Sequence, residues 1–575
     1  MLRFSIHFRT GEGKMYATSR HALSALSSAA RGTQIYDACI VGGGVVGLAV
    51  AREMATRGHS VILVEKEQSV GAGAASAGNS GLVHTGYDAN PESLEAKLLR
   101  RSLAIRPALM DAIGLDEHEH WRQAPGSLVV AWSPEEKAKL QGVLDETRAS
   151  GDADTRLVEP SELFELEPGL SRDALGAVLC PHETVAEPWL FCTALAESAR
   201  LHSAVLRVGT ELVGAALSRD DGLWTLRTRP VPPQPWAASH CAGRSASGER
   251  LVPPPPPVAD VTAEADTDNG AIPLALARWV RGHAAAVEAA MPEDEFSARA
   301  MINCAGLYGD LIEQMRMEAT AGCDGKSGGG KSGGGKSGET DLVPPFSVTP
   351  RKGQFAVFRP AQPSDAPRLV IEPIAGEFTK GVIVWSSLHG NILVGPTATP
   401  QPESRTDRST DDETLDALIA HGERVLPALR QATLLGSFSG LRPATEHRDY
   451  QIWTDAHERW VSVGGIRSTG LSASPAIGEY VSELVEAVLA ADGDDTRYVP
   501  PAHAAQEEVN GELPGVSEAV RARQPLRCGA RATPSPRAPT LEALRRSYRS
   551  SDGCVPLFGR LQRVVHPITS FGCEK

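Results

Sequence analysis

The sequence predicts an α/β protein: a Rossmann-type dinucleotide-binding domain with an inserted, mostly antiparallel β-sheet domain. Three observations carry this. A strand, a glycine turn, a helix, a second strand and an acid follow one another from Tyr36 to Lys66. An apolar run ending in a glycine turn, Ala300 to Gly306, suits a strand returning to the same sheet. Short β-rich pieces separated by Gly and Pro, Gln354–Phe358, Val382–Trp385 and Ile392–Val394, suit an antiparallel sheet.

Each part of the first unit has a physical task. Ala38 to Val41 form an apolar run fit for a buried parallel strand, and Gly42, Gly44 and Gly47 follow at G-x-G-x-x-G spacing, opening a helix through about Arg57. A helix N-terminus in such a turn offers free N–H groups and partial positive charge to phosphates. Val61 to Val64 supply the next strand. Glu65 stands at its end, about 20 residues past the glycines, where a carboxylate accepts bonds from ribose hydroxyls.

Composition bounds the rest. A chain of 575 residues with 41% hydrophobic content can bury a large core and is long enough for an enzyme. The formal charge of −14 argues against binding to a nucleic-acid backbone. Nine cysteines without a C-x-x-C pair give no zinc, iron–sulfur or disulfide framework, so no metal site is expected and a reducing compartment suits the chain. No stretch approaches the roughly 20 apolar residues of a membrane-spanning helix, so peripheral membrane contact is the most that is expected. Residues 1–34 set Arg3, Arg9, Arg20 and Arg31 against the single acid Glu12, a composition similar to a mitochondrial transit peptide; the alternative is a disordered leader on a cytoplasmic protein.

Two segments look like insertions without a packed core: Pro230 to about Glu295, with its proline run, and a Lys-Ser-Gly-Gly-Gly repeat between Cys323 and Glu339. No strand precedes Gly325-Lys326-Ser327 and no apolar helix follows, so it is not a P-loop. His118, His120 and Trp121 lie among Asp116, Glu117 and Glu119 and read as a solvated loop. Leu190 to Leu201 reads as a helix and Val205 to Leu217 as strand material. A second glycine-rich turn, Gly464 to Leu471, opens a helix through about Ala491, and the tail beyond Pro500 is rich in Arg.

Several of these pieces together resemble a known family. Asn79-Ser80-Gly81-Leu82-Val83-His84 with Gly86, Ile302 to Tyr308, Pro350 to Gln354, Val394 to Thr397, Gly440 to Pro443 and Gly465 to Ala476 are similar, in this order, to FAD-dependent oxidoreductases of the D-amino-acid-oxidase superfamily. The likeness is to the branch of glycerol-3-phosphate oxidase/dehydrogenase and L-2-hydroxyglutarate dehydrogenase, and it spans most of Tyr36 to Ala491. It implies an FAD-binding domain built from 35–110, 191–310 (with the insert 230–295) and 437–492, and a substrate domain built from 111–190 and 341–436. The leader 1–34, the linker 322–340 and the tail 493–575 lie outside both.

The resemblance also implies roles. Gly42, Gly44, Gly47 and Glu65 would hold the ADP half of FAD, Asn79, Ser80 and Gly81 would line the flavin, Val213 would touch the adenine through its backbone, and Gly306 would bound the cofactor. Gly470, Leu471 and Ser472 would approach the pyrimidine edge, where a helix N-terminus stabilises negative charge on reduced flavin. The implied reaction oxidises a small anionic hydroxy compound by hydride transfer to flavin, with oxygen or a quinone as acceptor. Such a reaction needs a base, and His84 matches the family's histidine; a histidine bonded between strands and a covalent flavin link are the alternatives. Arg442 and the pair Arg351-Lys352 match cationic substrate positions, although only one of two adjacent strand residues can face a pocket. Ser468 is a further candidate donor near flavin or substrate. Arg467 departs from the neutral or acidic residue more common at its place. Amine or amino-acid oxidation, or flavin binding without catalysis, are the alternative functions.

Overall fold

The computed structural model describes residues 35–86, 89–115, 122–232, 243–244, 250–251, 294–321, 343–376, 381–491, 554–557 and 560–563. The leader, the 118–121 loop, the linker, and most of the proline-rich insert and of the tail lie outside them.

Along the chain, β1 (Ile35–Val41), α1 (Val45–Thr56) and β2 (Val61–Val64) form the first unit. There follow β3 (Leu82–Val83), α2 (Leu94–Ala112), β4 (Ser127–Ala131), β5 (Gly176–Cys180) and β6 (Thr184–Ala186). Next come β7 (Val205–Arg207), β8 (Thr210–Leu217), β9 (Trp224–Pro230), β10 (Asp294–Asn303) and α3 (Gly309–Ala321). The last group is β11 (Val348–Arg359), β12 (Val370–Pro373), β13 (Ile383–Ser386), β14 (Ile392–Gly395), α4 (Asp412–Val425), β15 (Thr433–Thr445), β16 (Gln451–Asp455), β17 (Trp460–Gly464) and α5 (Gly470–Ala490).

One sheet of eight strands has the order β8-β9-β10-β1-β2-β7, with β17 on β10 and β16 on β17. Its centre is parallel: β1 pairs with β2 and β10, β2 with β7, and β10 with β17. Parallel strands need both faces covered. The apolar runs supply this: Ala38, Ile40, Leu63 and Ile302 face α1 and α5 in one cluster, while Cys39, Val41, Ile62 and Met301 face Trp224, Trp453 and Trp460 in another. The alternation along β1 is the period of two of a strand, with both sides buried.

The second sheet has nine strands in the order Thr399–Pro400, β11, β14, β13, β12, β4, β5, Arg156–Val158, with β15 on β11. It is antiparallel except where β12 runs parallel to β4. β11 and β15 form a long ribbon pairing Val348 with Thr445 at one end and Arg359 with Thr433 at the other. One side of the sheet packs on α4 through Ala356, Phe358 and Leu418. The other side carries Phe355, Val357, Trp385 and Phe438 and packs on Leu82 of β3 and Val185 of β6. A small sheet of β3, β6 and Arg122–Gln123 thus sits between the two large ones. Among the described residues no helix is long and apolar enough to cross a membrane.

Candidate active site

The G-x-G-x-x-G turn lies where β1 ends and α1 begins. Gly42 adopts φ +110°, and a Cβ there would lie 2.4 Å from the Cys304 carbonyl oxygen, so the crossing of β1 and β10 requires glycine. Gly44 is the N-cap of α1, whose first turn holds no acid and whose cap makes no side-chain bond. Its first N–H, that of Val45, donates instead to Ser76 Oγ at 3.0 Å. Glu65 at the end of β2 accepts from Gly43 N at 2.6 Å and from Glu67 N at 2.8 Å. Burial raises its carboxyl above the usual range even against those two bonds.

These groups open on a cleft of about 1140 Å³, its open mouth included. Gly42, Gly44, Glu65, Asn79, Gly306, Gly470 and Leu471 line it, together with Ser76 and Arg467. A helix start with no acid in its first turn offers donors to a dinucleotide's pyrophosphate, and the carboxylate at the adjoining strand end offers acceptors to its ribose hydroxyls. The residues present therefore fit FAD.

Other sequence candidates lie around this cleft in different ways. Ser80, Gly81 and Ser472 stand behind its wall: Ser80 Oγ accepts from Leu82 N at 3.3 Å, a Cβ on Gly81 would meet the Ala186 carbonyl, and Ser472 Oγ accepts from His84 N at 2.9 Å. Gly47 sits inside α1 against the Gly42 carbonyl. Val213 falls at the β-bulge between Leu212 and Gly214 and does not line the cleft. Ser468 lies in the turn before α5, also off the cleft wall. Arg467 lines the cleft with Nη2 2.9 Å from Glu95 Oε2, and Glu95 also bonds Thr469.

His84 directly follows β3 and is 5% exposed. Its Nδ1 stands 3.2 Å from Glu183 Oε2, and Glu183 Oε1 accepts from Thr85 N and Thr85 Oγ1 at 2.6 and 2.8 Å. Strand periodicity explains the meeting: His84 is two residues past Leu82, Glu183 two before Val185 and Glu372 two past Val370, and those three apolar residues share one cluster. Ligand-type atoms of His84, Glu183 and Glu372 all lie within 4.8 Å of one another, a metal-type grouping that a search of cysteine spacings does not find. Burial pushes the Glu183 carboxyl up, but the charge and bond of His84 and the Thr85 donors prevail and hold it below its ordinary value of 4.5.

A depressed folded pKa contributes stability above the unfolded value that is lost as pH falls through the folded one. Urea titrations of Glu183→Gln should therefore show a shallower loss of stability than the parent as pH drops below 4.5; equal slopes would remove Glu183 as the source.

Arg351 and Arg442 are directly opposed on β11 and β15, on the side that carries Phe355 and Phe438. Both terminal nitrogens of Arg442 donate to the Thr397 carbonyl, at 3.1 and 3.2 Å, and a Cβ on Gly353 would come within 2.7 Å of Nη2. Burial, then the Arg351 charge, lowers the Arg442 pKa to about 10. Two facing cations of this kind favour an anion between or beside them.

Lys352 is not brought to this side. It alternates with Arg351, so it lies with Gln354 on the α4 side, where its Nζ bonds Asp407 Oδ2 at 2.7 Å and the Ser409 carbonyl at 3.1 Å. Lys352, expected at a cationic substrate position, is therefore corrected: it is bound on the α4 side, and Arg351 is the member of the pair opposite Arg442.

Glu183 was invisible to sequence reasoning. Its only signal is its place next to the β-branched run at β6, and the partner His84 lies about a hundred positions away.

Comparison with known proteins accords with this geometry. A family model described as FAD dependent oxidoreductase, DAO, matches residues 37–244 and 329–484. Glycerol 3-phosphate dehydrogenase of Caloramator mitchellensis is 24% identical over 457 residues, covering 79% of this chain and 74% of that protein. Mitochondrial L-2-hydroxyglutarate dehydrogenase of Caenorhabditis elegans is 34% identical over 160 residues, 28% of this chain and 35% of its own. Among solved structures, FAD-bound L-alpha-glycerophosphate oxidase from Mycoplasma pneumoniae superposes with a TM-score of 0.56 at 22% identity, covering 79% of this chain and 95% of that one. Glycine oxidase from Geobacillus kaustophilus gives 0.55 at 22% identity over the same shares.

Proposed function

The chain belongs to the DAO family of FAD dependent oxidoreductases, and from that premise we propose that it oxidises a small anionic hydroxy compound, of the glycerol 3-phosphate or 2-hydroxy acid type, to the corresponding carbonyl. The observation that supports this best is the buried His84–Glu183 pair on the same interface as Arg351 and Arg442. FAD, when bound, supplies the hydride acceptor.

The chain's own groups have distinct tasks in this reading. His84 takes the hydroxyl proton as the carbon loses its hydride, so the alcohol becomes a carbonyl and the proton resides on the imidazole. Glu183 orients the ring from Nδ1 and stabilises the imidazolium. The Arg351–Arg442 pair binds the anionic end of the substrate and fixes its carbon. Phe355, Phe438 and Trp385 line the interior beneath and exclude water: Phe355 stacks on Phe438 at 4.5 Å and meets Trp385 edge-on at 6.1 Å. Oxygen or a quinone completes turnover as the acceptor. A mitochondrial address belongs to the same proposal, on the Arg-rich leader and the relatives whose names include mitochondrial.

The test is an anaerobic visible spectrum before and after addition of glycerol 3-phosphate, L-2-hydroxyglutarate and a set of amino acids. Bleaching by one of the two hydroxy anions is expected. Bleaching by amino acids alone would replace this reading with amine oxidation. Arg442→Met should raise KM for the anionic substrate about 10- to 100-fold, the weight of a charged hydrogen-bonded contact, and initial-rate kinetics read it directly.

A further inference from the structure

Lys352 is 8% exposed, yet its ammonium is committed to one surface segment. That segment, 401–411, runs between the second sheet and the cofactor cleft. Its far side is fixed to the sheet: Lys352 holds Asp407 and the Ser409 carbonyl, Gln354 Nε2 donates to Asp411 Oδ2 at 2.7 Å, and Asp411 N donates back to Gln354 Oε1 at 3.0 Å. Gln401 braces the segment internally through the Ser404 and Asp407 carbonyls, both at 2.9 Å. Its near side reaches the cleft rim, where Arg405 forks onto Asp310 at 2.6 and 2.7 Å and also bonds the Leu307 carbonyl. Between these anchors Arg405, Thr406 and Arg408 form part of the cleft wall.

We propose that Lys352 is a positioning residue for the cofactor: through Asp407 and Ser409 it clamps segment 401–411 along the cleft, so that Arg405 and Arg408 enclose bound FAD and slow its release. Lys352 touches neither FAD nor substrate in this role. Burial pushes the Asp407 carboxyl up, but the bonds from Lys352 and Ser409 and the Lys352 charge together prevail and hold it at about 2. The inference rests on FAD binding alone and is independent of which substrate is oxidised.

The experiment follows the rise of free-flavin fluorescence after dilution of the full-length holoprotein. Parent, Lys352→Met, Asp407→Asn and the double variant are compared. Each single variant should release FAD about tenfold faster, and the double variant no faster than the faster single one, because both remove one coupled contact. Unchanged release from Lys352→Met, with or without a raised KM for the anionic substrate, overturns the clamp. So do single effects that multiply in the double variant. If Lys352→Met does not fold, Asp407→Asn decides the matter by itself: Asp407 is 45% exposed in its side chain, so the substitution spares the core, and release at the parent rate sinks the proposal.

Discussion

His84→Ala lowers kcat for the true substrate by about 10² to 10⁴, the usual weight of a positioned general base, while FAD stays bound and its visible spectrum is retained. The separation of the two effects follows from the architecture. The His84 backbone N–H donates to Ser472 Oγ at 2.9 Å at the start of α5. That bond survives truncation of the side chain. The imidazole is held separately, beside Glu183 and Glu372. Stopped-flow bleaching under anaerobic conditions separates hydride transfer from reoxidation. Transfer within a few-fold of the parent would mean that His84 is a structural histidine and that its pairing with Glu183 serves folding.

Gly440→Ala should be the most damaging small substitution in the second sheet. The Cα of Gly440 in β15 presses on the backbone of Gly78, and a Cβ added to Gly440 would stand 2.3 Å from the Gly78 carbonyl oxygen; one added to Gly78 would stand 2.4 Å from the Gly440 Cα. Backbone meets backbone here, so no side chain can rotate away. Overpacking of this sort costs roughly 1–3 kcal/mol or more, and it acts between the end of the short helix Ala74–Ala77, with Asn79 after it, and the strand that carries Arg442. Lower FAD content after purification and a lower thermal midpoint are the expected results. A variant with parent-like midpoint and full flavin content would show that the two layers tolerate separation.

The cofactor half was legible because it is local. β1, the glycine turn, α1, β2 and Glu65 lie within about thirty residues, and each obeys a short-range rule: apolar runs for buried strands, glycine at the crossing, an acid at the strand end. The substrate half was legible as a class of element and not as a site. In β11 the neighbours Arg351 and Lys352 are chemically similar, and which of them faces the interior depends on a register that only the pairing with β15 sets. The pairing chose Arg351. Glu183 and segment 401–411 carried no signal for a related reason: their partners, His84, Lys352 and Asp310, come from distant parts of the chain and meet only after sheets and small strands have packed.

The order of strands in the first sheet has a consequence for how the protein is made. β1 is complete at Val41, but its neighbour β10 ends at Asn303 and the next strand, β17, ends at Gly464. The G-x-G-x-x-G turn is closed on one side by the Cys304 carbonyl, and the cleft beyond it by Gly465, Ile466, Arg467, Gly470 and Leu471. Pairings this far apart in sequence are slow to form, since the loop must close before contacts reward it. The walls of the cleft are therefore complete only once the chain has been made through Leu471. Capture of the cofactor is expected to be a late event, and fragments ending short of α5 should purify without bound flavin.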